Sequence, residues 1–96
     1  MKIDLKAPIL DLAGNVVGAP PLRLGDVVGV ACLSPVEGDD KLSGQKKYDL
    51  FALAQKCAGD SVDLSAEEIA TLKERVGRVY APLVVGRVFD LVDPKG

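Results

Sequence analysis

The stretch from Asp63 to Val92 constrains the fold most, because its local patterns agree on two consecutive helices. Ser65 followed three residues later by Glu68 has the capping-box spacing, in which the hydroxyl accepts one backbone N–H and the carboxylate accepts another. Pro82 suits the first turn of a helix, since an N–H at that position has no partner within the helix. The sequence therefore predicts a helix after Ser65 and a second after Pro82, folded back as an αα-hairpin.

The first of these helices has a continuous apolar face. Helical spacing assigns to this face Ile69, Leu72, Val76, Val79 and Tyr80. The predicted opposite face carries Thr71, Glu74, Arg75 and Arg78. The sequence VGRVY at 76–80 recurs as VGRVF at 85–89, which indicates that the two helices cross closely at Gly77 and Gly86. Because the last segment is rich in valine, a strand over Leu83–Val92 stays open as an alternative.

The N-terminal part has the pattern of two short strands joined by a tight turn. Val16 and Val17 follow the turn residues 13–15, and the apolar residues before the turn are Ile3, Leu5, Ile9, Leu10 and Leu12. Pro8 cannot donate a ladder hydrogen bond, so the first strand is expected at a sheet edge or at a bulge. Residues 1–18 are therefore predicted as a β-hairpin and residues 19–23 as an extended connector.

Two further helices are predicted between the connector and Ser65. The first has a stripe formed by Leu24, Val27, Val28, Ala31 and Cys32. Gly25 and Gly29 each cost up to about 1 kcal/mol in a helix relative to alanine, which indicates a neighbouring element packed closely against them. Ser43 suits the cap of the next helix, whose apolar residues are Tyr48, Leu50, Phe51, Leu53, Ala54, Cys57 and Ala58. Val36–Leu42, between the two helices, is predicted as a polar loop.

Several classes of chemistry lack their usual residues in this sequence. The chain has no histidine, so the commonest general base and the Ser/His and Cys/His nucleophile pairs are missing. Cys32 and Cys57 form no CxxC motif and are expected to be buried thiols; a disulfide between them would require an oxidising compartment. We therefore expect no catalytic residue, no cofactor and no metal site.

The overall charge gives no general attraction to nucleic acid or to an acidic membrane. The sequence has 14 acidic and 12 basic residues and a net charge of −2. No apolar run reaches the length of a membrane span, and acidic residues interrupt the apolar stretch that a signal peptide would need at the start. The expected location is the cytoplasm.

Basic residues are nevertheless concentrated in one region. They are Lys73, Arg75, Arg78 and Arg87. We predict these residues as a partner-binding surface, together with the exposed edge of the hairpin, which could extend a partner's sheet. Contact with the phosphates of DNA is an alternative, although few aromatic residues and no recognition-helix pattern accompany the basic residues.

Two segments carry a resemblance to a group of known proteins. They are Leu42-Ser43-Gly44 and the stretch from Val62-Asp63-Leu64-Ser65 through Glu68-Ile69 to Tyr80-Ala81-Pro82-Leu83-Val84-Val85-Gly86, and Leu24-Gly25-Asp26-Val27 adds to them. In these segments the chain resembles small uncharacterised proteins encoded in tailed-phage and prophage genomes. The resemblance implies an accessory protein located in a host cell or in a phage particle.

The prediction from the sequence is a single α+β domain over residues 1–96. An N-terminal β-hairpin is followed by about four short helices over residues 24–96, the last two forming an αα-hairpin. The predicted function is non-enzymatic protein–protein binding, as an assembly factor, a particle component or an inhibitor of a host system. The partner is another phage or host protein, or a second copy of the chain. A small DNA-binding regulator is the alternative, and an enzyme with carboxylate-based chemistry is the remote one.

Overall fold

A computed structural model of the protein describes residues 2–93. Within this range the chain forms two short strands and four α-helices, with the bounds β1 Lys2–Asp4, α1 Leu24–Leu33, α2 Gly44–Lys56, β2 Ser61–Asp63, α3 Ala66–Val79 and α4 Pro82–Val92. A 3-10 turn at Asp39–Lys41 lies between α1 and α2. The predicted α+β fold is confirmed, including the final αα-hairpin, since α3 and α4 pack against each other and the last segment is helical.

The N-terminal hairpin turns at Gly14. Leu10 and Val16 form an antiparallel bridge, and the Asp11 N–H donates to the Asn15 carbonyl at 2.8 Å. Gly14 has a φ of +88°, which a residue without a Cβ adopts at low cost. The Asp11 carboxylate also accepts the Asn15 N–H at 2.9 Å, so the turn is held by side-chain and backbone bonds.

The first strand has a partner that the sequence patterns did not predict. β1 pairs antiparallel with β2, and Ile3 lies opposite Val62. Each strand has three residues, and only the central one is buried, so neither is long enough to show an alternating pattern. This pairing anchors the start of the chain beside the connection between α2 and α3.

The predicted helix caps are present. The Ser65 hydroxyl accepts the Glu68 N–H at 3.2 Å, and the Glu68 carboxylate accepts the Ser65 N–H at 3.0 Å. The Ser43 hydroxyl caps α2 by accepting the Lys46 N–H at 3.1 Å, and Pro82 occupies the first turn of α4. These local bonds fix where the helices begin, as the sequence indicated.

Helix α1 lies at the centre of the core, packed against both α2 and α3. Its predicted stripe is buried: Leu24, Val27, Val28, Ala31 and Cys32. Cys32 and Cys57 are both buried free thiols, as expected. Burial raises the pKa of the Cys57 thiol to about 11 and raises that of Cys32 as well, so both stay protonated and weakly nucleophilic at neutral pH.

The glycines predicted at close contacts differ in their surroundings. A Cβ on Gly25 would lie 3.3 Å from the carbonyl oxygens of both Leu5 and Cys57, so close packing is confirmed there. A Cβ on Gly29, Gly77 or Gly86 would meet no atom within 4 Å. The predicted close approach at these three glycines is therefore wrong, and α3 and α4 do not meet at Gly77 and Gly86. Gly29 instead opens onto a groove.

Candidate functional site

Arg75 is the one charged side chain that is buried among the described residues, with 5% of its surface exposed. Its Nε donates to the Ala31 carbonyl at 3.1 Å, and Nη2 donates to the Ser34 carbonyl at 2.7 Å. Nη1 and Nη2 also bind the two carboxylate oxygens of Asp39, at 2.7 and 3.1 Å. The guanidinium thus joins α3 to the end of α1 and to the 3-10 turn.

The placement of Arg75 on the polar face of α3 was wrong. Arg75 follows Leu72 by three residues and directly precedes Val76, and both of these side chains are buried. Positions three residues apart lie on the same side of a helix, so the spacing itself placed Arg75 beside the core. The side chain is buried because the carbonyls beyond α1 and the Asp39 carboxylate satisfy the guanidinium.

Acid should destabilise the protein through two carboxylates. The hydrogen bond from Arg75 lowers the pKa of Asp39 most, and the bond from the Val36 N–H lowers it further. The hydrogen bond from the Ser65 N–H lowers the pKa of Glu68 most, and Lys56 lowers it further. Unfolded chains bind these protons at about pH 3.9 and 4.3, so the stabilisation is complete above that range and is lost as the pH falls through the lower folded-state pKa values.

Urea unfolding followed by circular dichroism at pH 7 and at pH 3 measures this loss. We expect a lower midpoint at pH 3, and a smaller drop in an Asp39→Asn variant, in which one of these two carboxylates is absent. Equal midpoints for the wild-type protein at both pH values would contradict the assignment.

The remaining predicted basic residues do not form one free surface with Arg75. Lys73 donates to the Asp93 carboxylate at 3.1 Å and lies 4.7 Å from the centre of the Phe89 ring. Arg78 is half exposed and forms an ion pair with Glu74 at 3.5 Å. Both cations are therefore already neutralised in part by carboxylates of this chain.

Arg87 holds the N-terminal hairpin against α4. Its Nε donates to the Leu10 carbonyl at 2.9 Å, and its Nη2 donates to the Asp11 carbonyl at 2.7 Å. These two bonds occupy one edge of the guanidinium and fix the base of the hairpin turn. Of the four predicted residues, Arg78 is thus the most exposed and Arg75 the least.

A groove of about 880 Å³ runs along the outer side of α1 and α2. Its lining includes Gly25, Gly29, Val30, Leu33, Phe51, Ala54, Gln55 and Ala58. On each helix these residues follow helical spacing, so two parallel stripes form one face. We call this surface the α1–α2 face.

The two ends of the α1–α2 face differ in the size of their side chains. Gly25 contacts the Cys57 region, so the start of α1 lies beside the end of α2. Gly25 and Ala58 therefore lie at one end of the face, and Gly29 lies midway along α1 between Gly25 and Leu33. Leu33 and Phe51 line the other end, where they also border a second depression of about 350 Å³. These two side chains form a ridge with a depression on each side.

The ridge leaves large apolar groups in contact with water. Leu33 is 59% exposed, Phe51 47% and Val30 48%. The Tyr48 ring lies 6.2 Å from that of Phe51 and is also exposed, so it extends the apolar surface beyond the groove. Scattered exposed apolar residues are ordinary, but contiguous ones around a groove are typical of a binding surface.

Charged residues also line the groove. Lys6, Arg23, Asp26 and Asp60 contribute to its lining, and all four are exposed. Within residues 2–93, every buried side-chain nitrogen or oxygen has a hydrogen-bond partner, and no three His, Cys, Asp or Glu side chains are grouped to hold a metal. The same part of the chain has no helix of the length and apolar character that a bilayer requires. The groove therefore presents apolar side chains together with exposed charged ones.

Sequence patterns pointed to this face only in part. The broad apolar surface of α2 included Phe51 and Tyr48, which exceed what a narrow buried stripe needs. Val30 and Leu33 lie outside the buried stripe of α1, and Gly29 was assigned to close packing. The indication of this face in the sequence was that the apolar surface of α2 is too broad for a single contact with the core.

Comparisons with known proteins give no match. No protein-family model matches the sequence. No curated protein and no solved structure matches it either. The geometry of the α1–α2 face is therefore the basis for assigning a function.

Proposed function

We propose that this chain is a non-enzymatic accessory protein that acts by binding protein through the α1–α2 face. The observation that carries the proposal is the exposure of Val30, Leu33 and Phe51 around an open groove. Covering these side chains removes apolar surface from water, which is worth about 25 cal/mol per Å² before the costs of association. Protein interfaces likewise combine apolar side chains with polar and charged ones.

The resemblance to phage and prophage proteins supports an accessory role of this kind. An assembly factor, a particle component and an inhibitor of a host system all act by contact with protein. Each of them needs an exposed apolar surface held on a rigid support, and α1 provides this support because its opposite side is fully buried.

The structure gives less support to DNA binding. Arg75 uses its guanidinium inside the protein, Arg87 donates to two carbonyls of the hairpin, and Lys73 donates to Asp93. Breaking these contacts to reach phosphates would cost part of the electrostatic gain. The DNA-binding alternative stays a prediction without a specific geometric observation in its favour.

Capture of binding partners by matched variants tests the proposal. Wild-type protein, Leu33→Glu and Leu12→Glu are immobilised and exposed to a bacterial lysate. Leu33 lies on the ridge and Leu12 lies on the hairpin turn with 90% of its surface exposed, so each variant adds the same charge at an exposed site. We expect a protein that is retained by wild type and Leu12→Glu and lost by Leu33→Glu. Equal retention of the same protein by wild type and Leu33→Glu, or no specific retention by wild type, would contradict the proposal.

A further inference from the structure

The C-terminal end of α1 needs hydrogen-bond donors from outside the helix. In a continuous helix the Ala31 carbonyl would accept the N–H of residue 35, but that residue is Pro35, which has no N–H. Ser34 is extended, with φ −76° and ψ 137°, so the helix does not end in the left-handed turn that often binds the last carbonyls. The last turn of α1, up to Leu33, also contains no basic residue that could interact with the negative end of the helix dipole.

Arg75 supplies these missing groups from α3. Its Nε donates to the Ala31 carbonyl at 3.1 Å, and its Nη2 donates to the Ser34 carbonyl at 2.7 Å. Only 5% of the Arg75 surface is exposed, so water competes little for the two carbonyls. A positive charge at the carboxyl end of a helix also interacts favourably with the helix dipole. The guanidinium therefore caps a helix to which Arg75 does not belong.

The segment that follows α1 is held by the same guanidinium. None of residues 34–42, which we call the strap, is buried, so apolar packing contributes little to its order. Asp39 in the strap binds Nη1 and Nη2 of Arg75 with its two carboxylate oxygens, and it also accepts the Val36 N–H at 2.9 Å. Arg78 adds a bond to the Glu37 carbonyl at 3.3 Å. Polar contacts from α3 thus hold the strap in place.

Leu33 lies between the two residues whose carbonyls Arg75 binds. Cys32, directly before it, is buried, whereas Leu33 is 59% exposed. Contacts with the core therefore fix α1 as far as Cys32, and the direction of the Leu33 side chain depends on the capped end of the helix. Ser34 and Pro35, which follow, line the depressions on both sides of the ridge. The contacts of Arg75 thus determine the shape of this end of the α1–α2 face.

We propose that Arg75 is a positioning residue for the α1–α2 face, because by capping α1 and holding the strap it fixes Leu33 in the place where a partner contacts it. The role in the free chain stands on the contacts above, and its consequence for binding rests on the proposed function. Without the guanidinium, the end of α1 and the strap open locally. Helix α3 and the earlier part of α1 stay folded, because their apolar side chains remain buried.

Amide hydrogen exchange of the full chain, followed at each residue by NMR, tests this role. The reporter is the Ser34 N–H, which donates to the Val30 carbonyl at 2.8 Å at the end of α1. The reference is the Tyr80 N–H, which donates to the Val76 carbonyl at 3.0 Å at the end of α3. In Arg75→Lys we expect the Ser34 N–H to exchange at least about tenfold faster relative to the Tyr80 N–H, because an ammonium keeps the charge but cannot bind all the oxygens that the planar guanidinium binds.

Arg87→Lys is the matched control. Arg87 also donates to two backbone carbonyls, those of Leu10 and Asp11, but it does so from α4 to the hairpin. The same substitution at this position should leave the exchange of the Ser34 N–H unchanged relative to that of Tyr80. Circular dichroism checks that both lysine variants are folded.

Asp39→Asn separates the strap from the cap. The variant keeps the bonds of Arg75 to the carbonyls of α1 and Ser34 but weakens its hold on the strap. The Leu42 N–H donates to the Asp39 carbonyl at 3.0 Å, so it reports opening of the strap. We expect the exchange of the Leu42 N–H to accelerate more than that of the Ser34 N–H.

Each result of the exchange experiment supports or overturns the role of Arg75. Faster exchange of Ser34 relative to Tyr80 in Arg75→Lys, with no change in Arg87→Lys, supports it. A Ser34 N–H without protection in the wild type, no acceleration, or equal acceleration of Ser34 and Tyr80 overturns it. If Arg75→Lys does not fold, Asp39→Asn decides: faster exchange of the Leu42 N–H supports the role, and unchanged exchange overturns it.

Capture from the bacterial lysate distinguishes this inference from the proposed function. If wild type retains a protein that Leu33→Glu loses, Arg75→Lys should retain at least about threefold less of it, because a Leu33 that is not fixed must be ordered on binding. Arg87→Lys should retain as much as wild type. Undiminished retention by Arg75→Lys would overturn the positioning role and leave the proposed function standing. If wild type retains nothing through this face, the proposed function fails, and the exchange rates decide the role of Arg75 in the free chain.

Discussion

Replacing Arg75 with methionine should lower the free energy of unfolding by about 3 kcal/mol, as expected when one partner of a buried ion pair is removed. The change leaves the carbonyls of Ala31 and Ser34 without these donors and leaves the Asp39 carboxylate without its cation. Asp39 keeps 23% of its side-chain surface exposed, so water recovers part of the loss and the effect stays at the lower end of the range. Urea unfolding followed by circular dichroism measures the change.

Arg78→Met provides the control for this experiment. Arg78 is on the same helix but half exposed, and its ion pair with Glu74 is of the surface type, so its loss should cost less than about 0.5 kcal/mol. Arg75→Lys should fall between the two, since an ammonium keeps the charge but cannot reproduce the fork that binds both Asp39 oxygens. Equal effects of Arg75→Met and Arg78→Met would show that the buried contacts contribute little to stability.

Gly25→Ala should lower the free energy of unfolding by about 1 kcal/mol, although alanine is the better helix former. The added Cβ lies 3.3 Å from two carbonyl oxygens, those of Leu5 and Cys57, and neither is the end of a flexible side chain. The Leu5 carbonyl also accepts the Gly25 N–H at 3.0 Å, so moving it away weakens a bond that joins the N-terminal segment to α1.

Gly29→Ala, one turn further along the same helix, is the matched comparison. No atom lies within 4 Å of its added Cβ, so the gain in helix propensity should appear in full and raise stability by about 0.5–1 kcal/mol. The two alanine variants should therefore differ by about 1.5–2 kcal/mol in urea unfolding. A Gly25→Ala variant as stable as Gly29→Ala would be inconsistent with the close contact at Gly25.

Features of the fold that depend on neighbouring residues could be predicted from the sequence. The capping box at Ser65, the cap at Ser43 and the helix start at Pro82 each involve atoms within about one turn of helix. The buried stripe of α1 follows from spacing alone, because one side of a central helix must be apolar.

Features that join distant segments could not be predicted in the same way. The pairing of β1 with β2 joins residues about sixty positions apart through strands of three residues, too short for an alternating pattern. The contacts of Arg75 with Ser34 and Asp39 likewise depend on the packing of α3 against α1. The sequence does not show whether an arginine beside a core position is buried or exposed, because this depends on the partners that the packing places next to it.

The α1–α2 face shows the same limit for the candidate site. Val30, Leu33 and Phe51 are apolar residues on amphipathic helices, and the sequence does not distinguish those that face the core from those that remain exposed. Gly25 and Gly29 look equivalent in sequence, yet one has the backbone of Leu5 against it and the other has open space. Only the arrangement of α1 beside α2 separates their roles.

Whether the α1–α2 face is a protein interface is tested most directly by backbone amide NMR spectra of the wild-type chain, recorded alone and with the protein that it retains from the lysate. The predicted result is a set of shifts on addition of the partner at Val30, Leu33 and Phe51, with constant positions for Leu12 and Gly77, which lie elsewhere on the surface. Shifts centred on the hairpin turn or on α3, with those of the face unchanged, would contradict it.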